Sequence, residues 1–448
     1  MSYSRTIATE YGLVRGIVKD ECELYLGIPF AAPPVGDLAF KHPVPPKSWK
    51  GVLEVARAPI SPVQGKGRTA ITADGKDCLY LNVFVPLDLP ADAPVMVWFY
   101  GGSYANGGCG RISDESDELY YDLLKYAKDT KTVVVTFNYR LNLEGFLNLN
   151  FINADFDRNN GLYDQMAALK FVRNNINKFG GDADNVTVFG QSAGAACILA
   201  LLGMEEARTL FDKAIMQSPC ALSFWSEKQS KRYTHKYLSF LGVKITELNK
   251  LKDLDVEAIH EANKKLRKFV FKEGESNCAF SPVIDGVTIK DDPVKLAKES
   301  NKPILIGTCA QEGDAFINGI KGPLLPLAAS WFGFKLKWSK DMRRVMSDNF
   351  TDFFYKNPSH ELARDIKGPS WVYEYRHMTP DIEKRGAGCF HASELPVLFD
   401  KSTNYCKVED PVSKRVGEKM REYWSEFAYT GKLPWTEFKE NEEVKGIN

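Results

Sequence analysis

The chain has 448 residues, of which 44% are hydrophobic and 26% charged, and its Lys+Arg and Asp+Glu counts are both 58. Such a chain buries a sizeable core, and nothing in its even charge balance recruits nucleic acid or an anionic membrane. The opening MSYSRTIATEYG has no apolar h-region, and no stretch approaches the roughly eighteen apolar residues of a membrane span, so neither a signal peptide nor a transmembrane helix is expected.

Residues 9–30, TEYGLVRGIVKDECELYLGIPF, alternate apolar positions with glycine punctuation and predict an N-terminal antiparallel hairpin. Residues 31–49, AAPPVGDLAFKHPVPPKSW, hold too much proline for regular structure and predict an ordered surface loop. Asp77–Pro86 and Ala93–Tyr100 predict strands. The second is apolar throughout, which places it inside a mostly parallel sheet covered on both faces. It ends in Gly101-Gly102-Ser103-Tyr104, and a glycine pair at the C-terminal end of a central strand lets backbone N–H groups turn toward a ligand. Thr132–Asn138 predicts another buried strand. Residues 163–179 repeat apolar positions at helical spacing until Gly180-Gly181 stops them.

The most informative stretch follows. Asn185–Phe189 is a β-branched and aromatic run, Gly190-Gln191-Ser192-Ala193-Gly194 comes next, and Ala195–Leu202 is small and apolar like a buried helix. Strand, G-x-S-x-G, helix is the context of a nucleophile elbow, with Ser192 held in a sharp turn at a helix N-terminus. Lys213–Ser218 predicts a further strand. Residues 221–300 are charged and helical in pattern apart from the strand-like FSPVIDGVTI, and residues 318–370 predict a second helical cover. Pro303–Gly307 and Trp371–Tyr375 return to the sheet. Strands alternating with helices define an α/β class, with one domain over residues 1–448 and covering insertions at about 221–300 and 318–370. Nine cysteines, odd in number and without C-x-x-C spacing, read as free thiols in a reducing compartment, and the cytoplasm is the expected location.

Several motifs occur in a characteristic order: Gly27–Gly36, Asp77–Asn82, Tyr100–Ser103, Asn138–Leu141 with Gly145-Phe146, Gly161–Gln165, Phe179–Asp182, the elbow, Ile306–Thr308 with Glu312-Gly313, and His391–Leu395. On these motifs the sequence resembles the type-B carboxylesterase family of the α/β-hydrolase fold, which includes cholinesterases. The resemblance implies a large central, mostly parallel sheet flanked by helices and a Ser-His-Glu triad that hydrolyses carboxylic esters. Ser192 would be the nucleophile. Among six histidines, His391 occupies the family's motif and would be the base; the other five lie in charged or proline-flanked stretches and read as solvated surface residues. Glu312 lies in chain order between Ser192 and His391 and would orient the base.

The same resemblance puts the oxyanion hole on the N–H groups of Gly102, Ser103 and Ala193, with Ser103 standing where a third glycine is usual. Arg140 and Asp164 resemble a buried ion pair of the family, and Ser218 and Glu394 resemble supporting partners of the histidine, although Pro219 replaces a usual glycine. Three departures narrow the substrate. Val63 stands where relatives carry the cysteine that bridges the one matching Cys78, so Cys78 is expected to be unpaired. Ala39 and Lys76 replace an arginine and a glutamate that pair in relatives, a joint loss that implies compensation. The segment from Val63 to Cys78 holds no aromatic residue to stack on a quaternary ammonium, and Gln191 replaces a common glutamate, so choline esters fit poorly.

The expectation is a serine carboxylesterase for neutral, small-molecule esters that works through an acyl-enzyme and needs no cofactor or metal. A triad-less binding or adhesion protein on the same fold and a lipase are the alternatives; the joint presence of Ser192, Glu312 and His391 opposes the first, and the lack of a long apolar lid opposes the second. The chain ends soon after Phe427–Gly431, earlier than the relatives usually do, so the expectation is a terminal strand or helix that is absent or trimmed. Oligomeric state is not legible.

Overall fold

A computed structural model describes residues 2–64, 71–113, 115, 118–273, 278–318, 320, 324–325 and 341–448. One twelve-stranded sheet draws strands from both ends of the chain. The strands are β1 (Ser2–Ala8), β2 (Leu13–Lys19), β3 (Cys22–Pro29), β4 (Tyr80–Pro86), β5 (Ala93–Phe99), β6 (Val133–Phe137), β7 (Gly181–Gln191), β8 (Lys213–Gln217), β9 (Ile304–Cys309), β10 (Ser370–Tyr375) and β11 (Val444–Ile447). They lie in the order β1-β2-β3-β4-β6-β5-β7-β8-β9-β10-β11, and the short strand Val52–Glu54 pairs beside β2. The pairs from β1 to β4 and between β4 and β6 are antiparallel; every pair from β6 through β5 to β11 is parallel.

The apolar runs explain this order. All seven residues of β5 and all five of β6 are buried, as strands covered on both faces must be. Each large apolar side chain removed from water there contributes about 1.5–3 kcal/mol. The predicted N-terminal hairpin is present as β2 and β3, and β1 extends it by a strand whose polar sequence, SYSRTIA, hides it from a hydrophobic pattern. The proline-rich loop contains only a short 3-10 turn, Gly36–Leu38.

Helices cover both faces. In α1 (Asn160–Asn175) the buried Leu162, Met166, Leu169 and Val172 recur at helical spacing, and Gly180, at φ +98°, ends the following 3-10 turn. Helix α2 (Ala193–Gly203) is buried from Ala193 to Leu202, so it is apolar all round. The first cover contains α3 (Glu227–Leu241), started by a Ser226–Gln229 capping box, and α4 (Val256–Glu273). Here the strand-like FSPVIDGVTI contributes only Val283–Ile284, paired with Trp225–Ser226 outside the main sheet. Of the second predicted cover, residues 319, 321–323 and 326–340 lie outside the described residues. From 342 the cover is helical: α5 (Met342–Thr351), a π-helical turn over Asp352–Lys356, and α6 (Asn357–Asp365).

Helix α7 (Glu394–Leu398) then leads to α8 (Pro411–Thr430), whose Asp410 side chain accepts the Ser413 N–H at 2.9 Å and whose end Gly431 closes at φ +68°. The terminal strand expected to be missing is present: β11 pairs in parallel with β10 at the sheet edge. All nine cysteines are free and buried, Cys78 included. Among the described residues no helix is long and apolar enough to cross a membrane.

Candidate active site

Strand β7 delivers Ser192 at its C-terminal end, and α2 begins on the next residue. Ser192 has φ +57° and ψ −123°, a backbone that side-chain-bearing residues avoid, so neighbouring packing must hold it. The flanking glycines make that packing geometrically feasible. A Cβ on Gly190 would lie 2.7 Å from the Phe99 carbonyl oxygen, and one on Gly194 would lie 2.1 Å from the same atom.

Two distant loops bring the partners. His391 Nε2 lies 2.8 Å from Ser192 Oγ, and its Nδ1 lies 2.5 Å from Glu312 Oε2. Glu312 is fully buried just beyond β9; its Oε1 also accepts the Ser218 hydroxyl at 2.5 Å and the Cys309 N–H at 2.7 Å. With the carboxylate accepting at Nδ1, the ring proton sits there and the Nε2 lone pair faces the serine hydroxyl.

Ser218 and Glu394 do not touch the imidazole. Ser218 fixes Glu312 instead, and Pro219 leaves that contact intact. Glu394 accepts the Cys309 thiol at 3.0 Å and the Gln217 amide at 3.3 Å, and Gln217 in turn accepts the Trp424 indole N–H at 3.2 Å. Burial, then the nearby charge of Glu312, pushes the Glu394 carboxyl up to about 7. Gln191 does reach the ring: its Nε2 is 3.2 Å from His391 Nε2.

The turn after β5 carries positive φ at Gly102 (+114°) and Ser103 (+56°). The Gly102 carbonyl accepts the N–H groups of Ala105 and Asn106, while the N–H groups of Gly102 and Ser103 have no acceptor among the described residues. Ala193, at the first position of α2, has no intrahelical acceptor for its N–H either. Gly101, Gly102, Ser103, Gln191, Ser192 and His391 line one cavity of about 200 Å³. Among the described residues no lysine, arginine, aspartate or glutamate lines it. A second cavity of about 320 Å³ shares Tyr120, Tyr121, Leu395 and Tyr405 with it.

Three further neighbours carry no signal in the sequence. Cys220 Sγ is 3.6 Å from Ser192 Oγ, and the Tyr355 and Phe316 rings stand 4.9 and 5.4 Å from the imidazole. Cys220 follows Ser218 by two residues, so its place at the end of β8 is the one clue available. Tyr355 comes from the π-helical turn, where an extra residue per turn re-aims a side chain that heptad-like spacing would misplace.

Arg140 donates to Asp164 through Nε at 2.8 Å and through a terminal nitrogen at 2.7 Å, with both side chains at most 1% exposed. The Lys76 ammonium is satisfied by donating to the Lys252 and Leu254 carbonyls at 2.9 and 2.8 Å. The reading of the other five histidines as solvated holds only for His235; His42, His360 and His377 are half-buried, and His260 is buried with Nε2 3.3 Å from Asp74 Oδ2. Its place on α4, packed against the loop that carries Asp74, withdraws it from water. Among the described residues no group of three or more His, Cys, Asp or Glu side chains is placed to hold a metal ion.

Comparison with known proteins matches residues 3–324 and 333–444 to the description "Carboxylesterase family". The chain belongs to the carboxylesterase family. Its enzyme class is therefore carboxylic ester hydrolysis. Among its carboxylesterase relatives, the para-nitrobenzyl esterase of Bacillus subtilis (strain 168) is 36% identical over 95% of this chain and 90% of that protein. The fumonisin B1 esterase of Sphingopyxis macrogoltabida is 36% identical over 87% of this chain and 74% of its own. A solved thermophilic PNB esterase superposes with a TM-score of 0.86 at 32% identity, covering 99% of this chain and 96% of that one. The carboxylesterase sheet described above is thus the α/β-hydrolase fold.

Proposed function

We propose that this protein is a serine carboxylesterase that hydrolyses neutral esters through Ser192, His391 and Glu312 with a covalent acyl-enzyme intermediate. The observation that carries this reading is the unbroken relay from Glu312 through His391 to Ser192, at 2.5 and 2.8 Å. In the first half-reaction the Ser192 oxygen bonds to the ester carbon while its proton passes to His391 Nε2. The tetrahedral oxyanion accepts the N–H groups of Gly102, Ser103 and Ala193. Its collapse breaks the bond to the alcohol oxygen, which takes the proton from Nε2. Water then repeats the sequence on the acyl-serine, releasing the acid and restoring the hydroxyl. Glu312 orients the ring and stabilises the transient imidazolium.

Neutral substrates are favoured because, among the described residues, the cavity wall has no carboxylate or permanent cation, and Gln191 offers a neutral amide beside the nucleophile. The fully reduced, buried cysteines support placement in the cytoplasm. Residues 1–448 form one domain in this reading, since the sheet takes strands from residues 2 to 447.

The test compares wild type with Ser192→Ala on a p-nitrophenyl acyl ester series. Loss of at least about 10⁴-fold in kcat is expected; equal rates would remove Ser192 from the mechanism.

A further inference from the structure

The relay leaves one contact without a role. Gln191, 3% exposed, directs its side-chain nitrogen at the same imidazole nitrogen that faces the serine, at 3.2 Å against 2.8 Å for Ser192 Oγ. An imidazole nitrogen has a single in-plane lone pair, so two donors compete for it. Its place is built in: a Cβ on Gly101 would come within 2.7 Å of the Gln191 carbonyl oxygen and 2.9 Å of its side-chain oxygen, so the bare glycine leaves room for the amide. The other groups that face the ring are already committed. Glu312 holds Nδ1, Glu394 is engaged by Cys309 and Gln217, Tyr355 presents its ring and takes the Cys220 thiol at 3.5 Å, and Phe316 is apolar.

The geometry points to Gln191 as a positioning residue that sets the protonation of the base: its amide N–H favours the neutral ring over the imidazolium. This role presupposes the triad proposed above and refines it. A donor aimed at a lone pair stabilises the state that has the lone pair. In the resting enzyme His391 therefore stays ready to accept the serine proton at lower pH than it would beside a carboxylate. After the transfer, the new Nε2–H meets an N–H of the amide, and that mismatch favours delivery of the proton to the departing alcohol oxygen.

The test is the pH dependence of kcat/KM for p-nitrophenyl acetate in wild type, Gln191→Glu and Gln191→Met, with stoichiometric labelling of Ser192 by a fluorophosphonate measured alongside. The carboxylate of Gln191→Glu pairs with the imidazolium, so the acid limb is expected to move up by about one pH unit. Gln191→Met, which fills the same space without a hydrogen bond, is expected to shift the limb upward by less. Superimposable acid limbs in variants that label fully would overturn the role and leave the triad standing. A wild type that does not label, with Ser192→Ala fully active, would fail the triad and take this role with it.

Discussion

Ser103 occupies a left-handed backbone position, φ +56°, that a glycine would adopt without strain, and its contribution to the proposed oxyanion hole is a backbone N–H. Ser103→Gly therefore keeps the donor, and we expect kcat/KM for a short acyl ester to stay within about threefold, with little change in Tm because relieved strain and gained unfolded-state entropy oppose each other. Gly102 is different: at φ +114° an added Cβ would lie 2.2 Å from the Asn106 carbonyl oxygen. Gly102→Ala should displace the turn and cost about 10²–10³ in kcat, the usual size of a lost oxyanion donor. A steady-state comparison of both variants, with circular dichroism as a folding control, reads the difference directly. Residue identity at these positions is legible in the sequence. What is hidden there is that Gln191 points at the ring, that Ser218 donates to Glu312 and that Glu394 is bound by Cys309 and Gln217, since an orientation belongs to the packed state.

Two elements hold the site in place. The strand–turn–helix of β7 and α2 depends on close approach to β5, and Gly194→Ala forces a methyl into the Phe99 backbone. A loss of about 1–3 kcal/mol and several degrees of Tm is expected. The second device is the Arg140–Asp164 pair, which ties the end of β6 to α1 in a fully desolvated setting. Arg140→Met leaves a buried carboxylate alone and should cost about 3–5 kcal/mol, whereas Arg140→Met with Asp164→Leu should recover much of it. Denaturant midpoints of the three proteins decide the point; a double variant no better than the single one would refute it. Element type was readable where the apolar pattern was strong, periodic in α1 and continuous in α2, β5 and β6. It failed at β1, whose side chains are polar, and at FSPVIDGVTI, where an alternating pattern is spent on loop burial instead of sheet pairing.

At the scale of the whole molecule, two buried carboxyls, Glu394 and Glu144, are each pushed up to about 7, chiefly by burial. Raised folded values mean that the stabilisation they confer is complete below about 4.5, where unfolded chains also keep the proton, and is lost as pH rises through about 7. Each is worth on the order of 3 kcal/mol over that window. Thermal melts from pH 4.5 to 8 should show a shallower decline of Tm in Glu394→Gln and in Glu144→Gln than in wild type; parallel curves would show that these groups ionise freely.

The sequence by itself determined the α/β class and carried the strand–G-x-S-x-G–helix pattern around Ser192, because apolar runs and glycine spacing are local properties of the chain; His391 and Glu312, the other members of the proposed triad, were singled out by the family resemblance. The tertiary structure decided which side chains share the cavity, how the Lys76 ammonium is satisfied by two carbonyls, and that a final strand forms the sheet edge at residues 444–447. Those outcomes depend on contacts between segments up to several hundred residues apart, and no spacing rule along a chain encodes a direction in space.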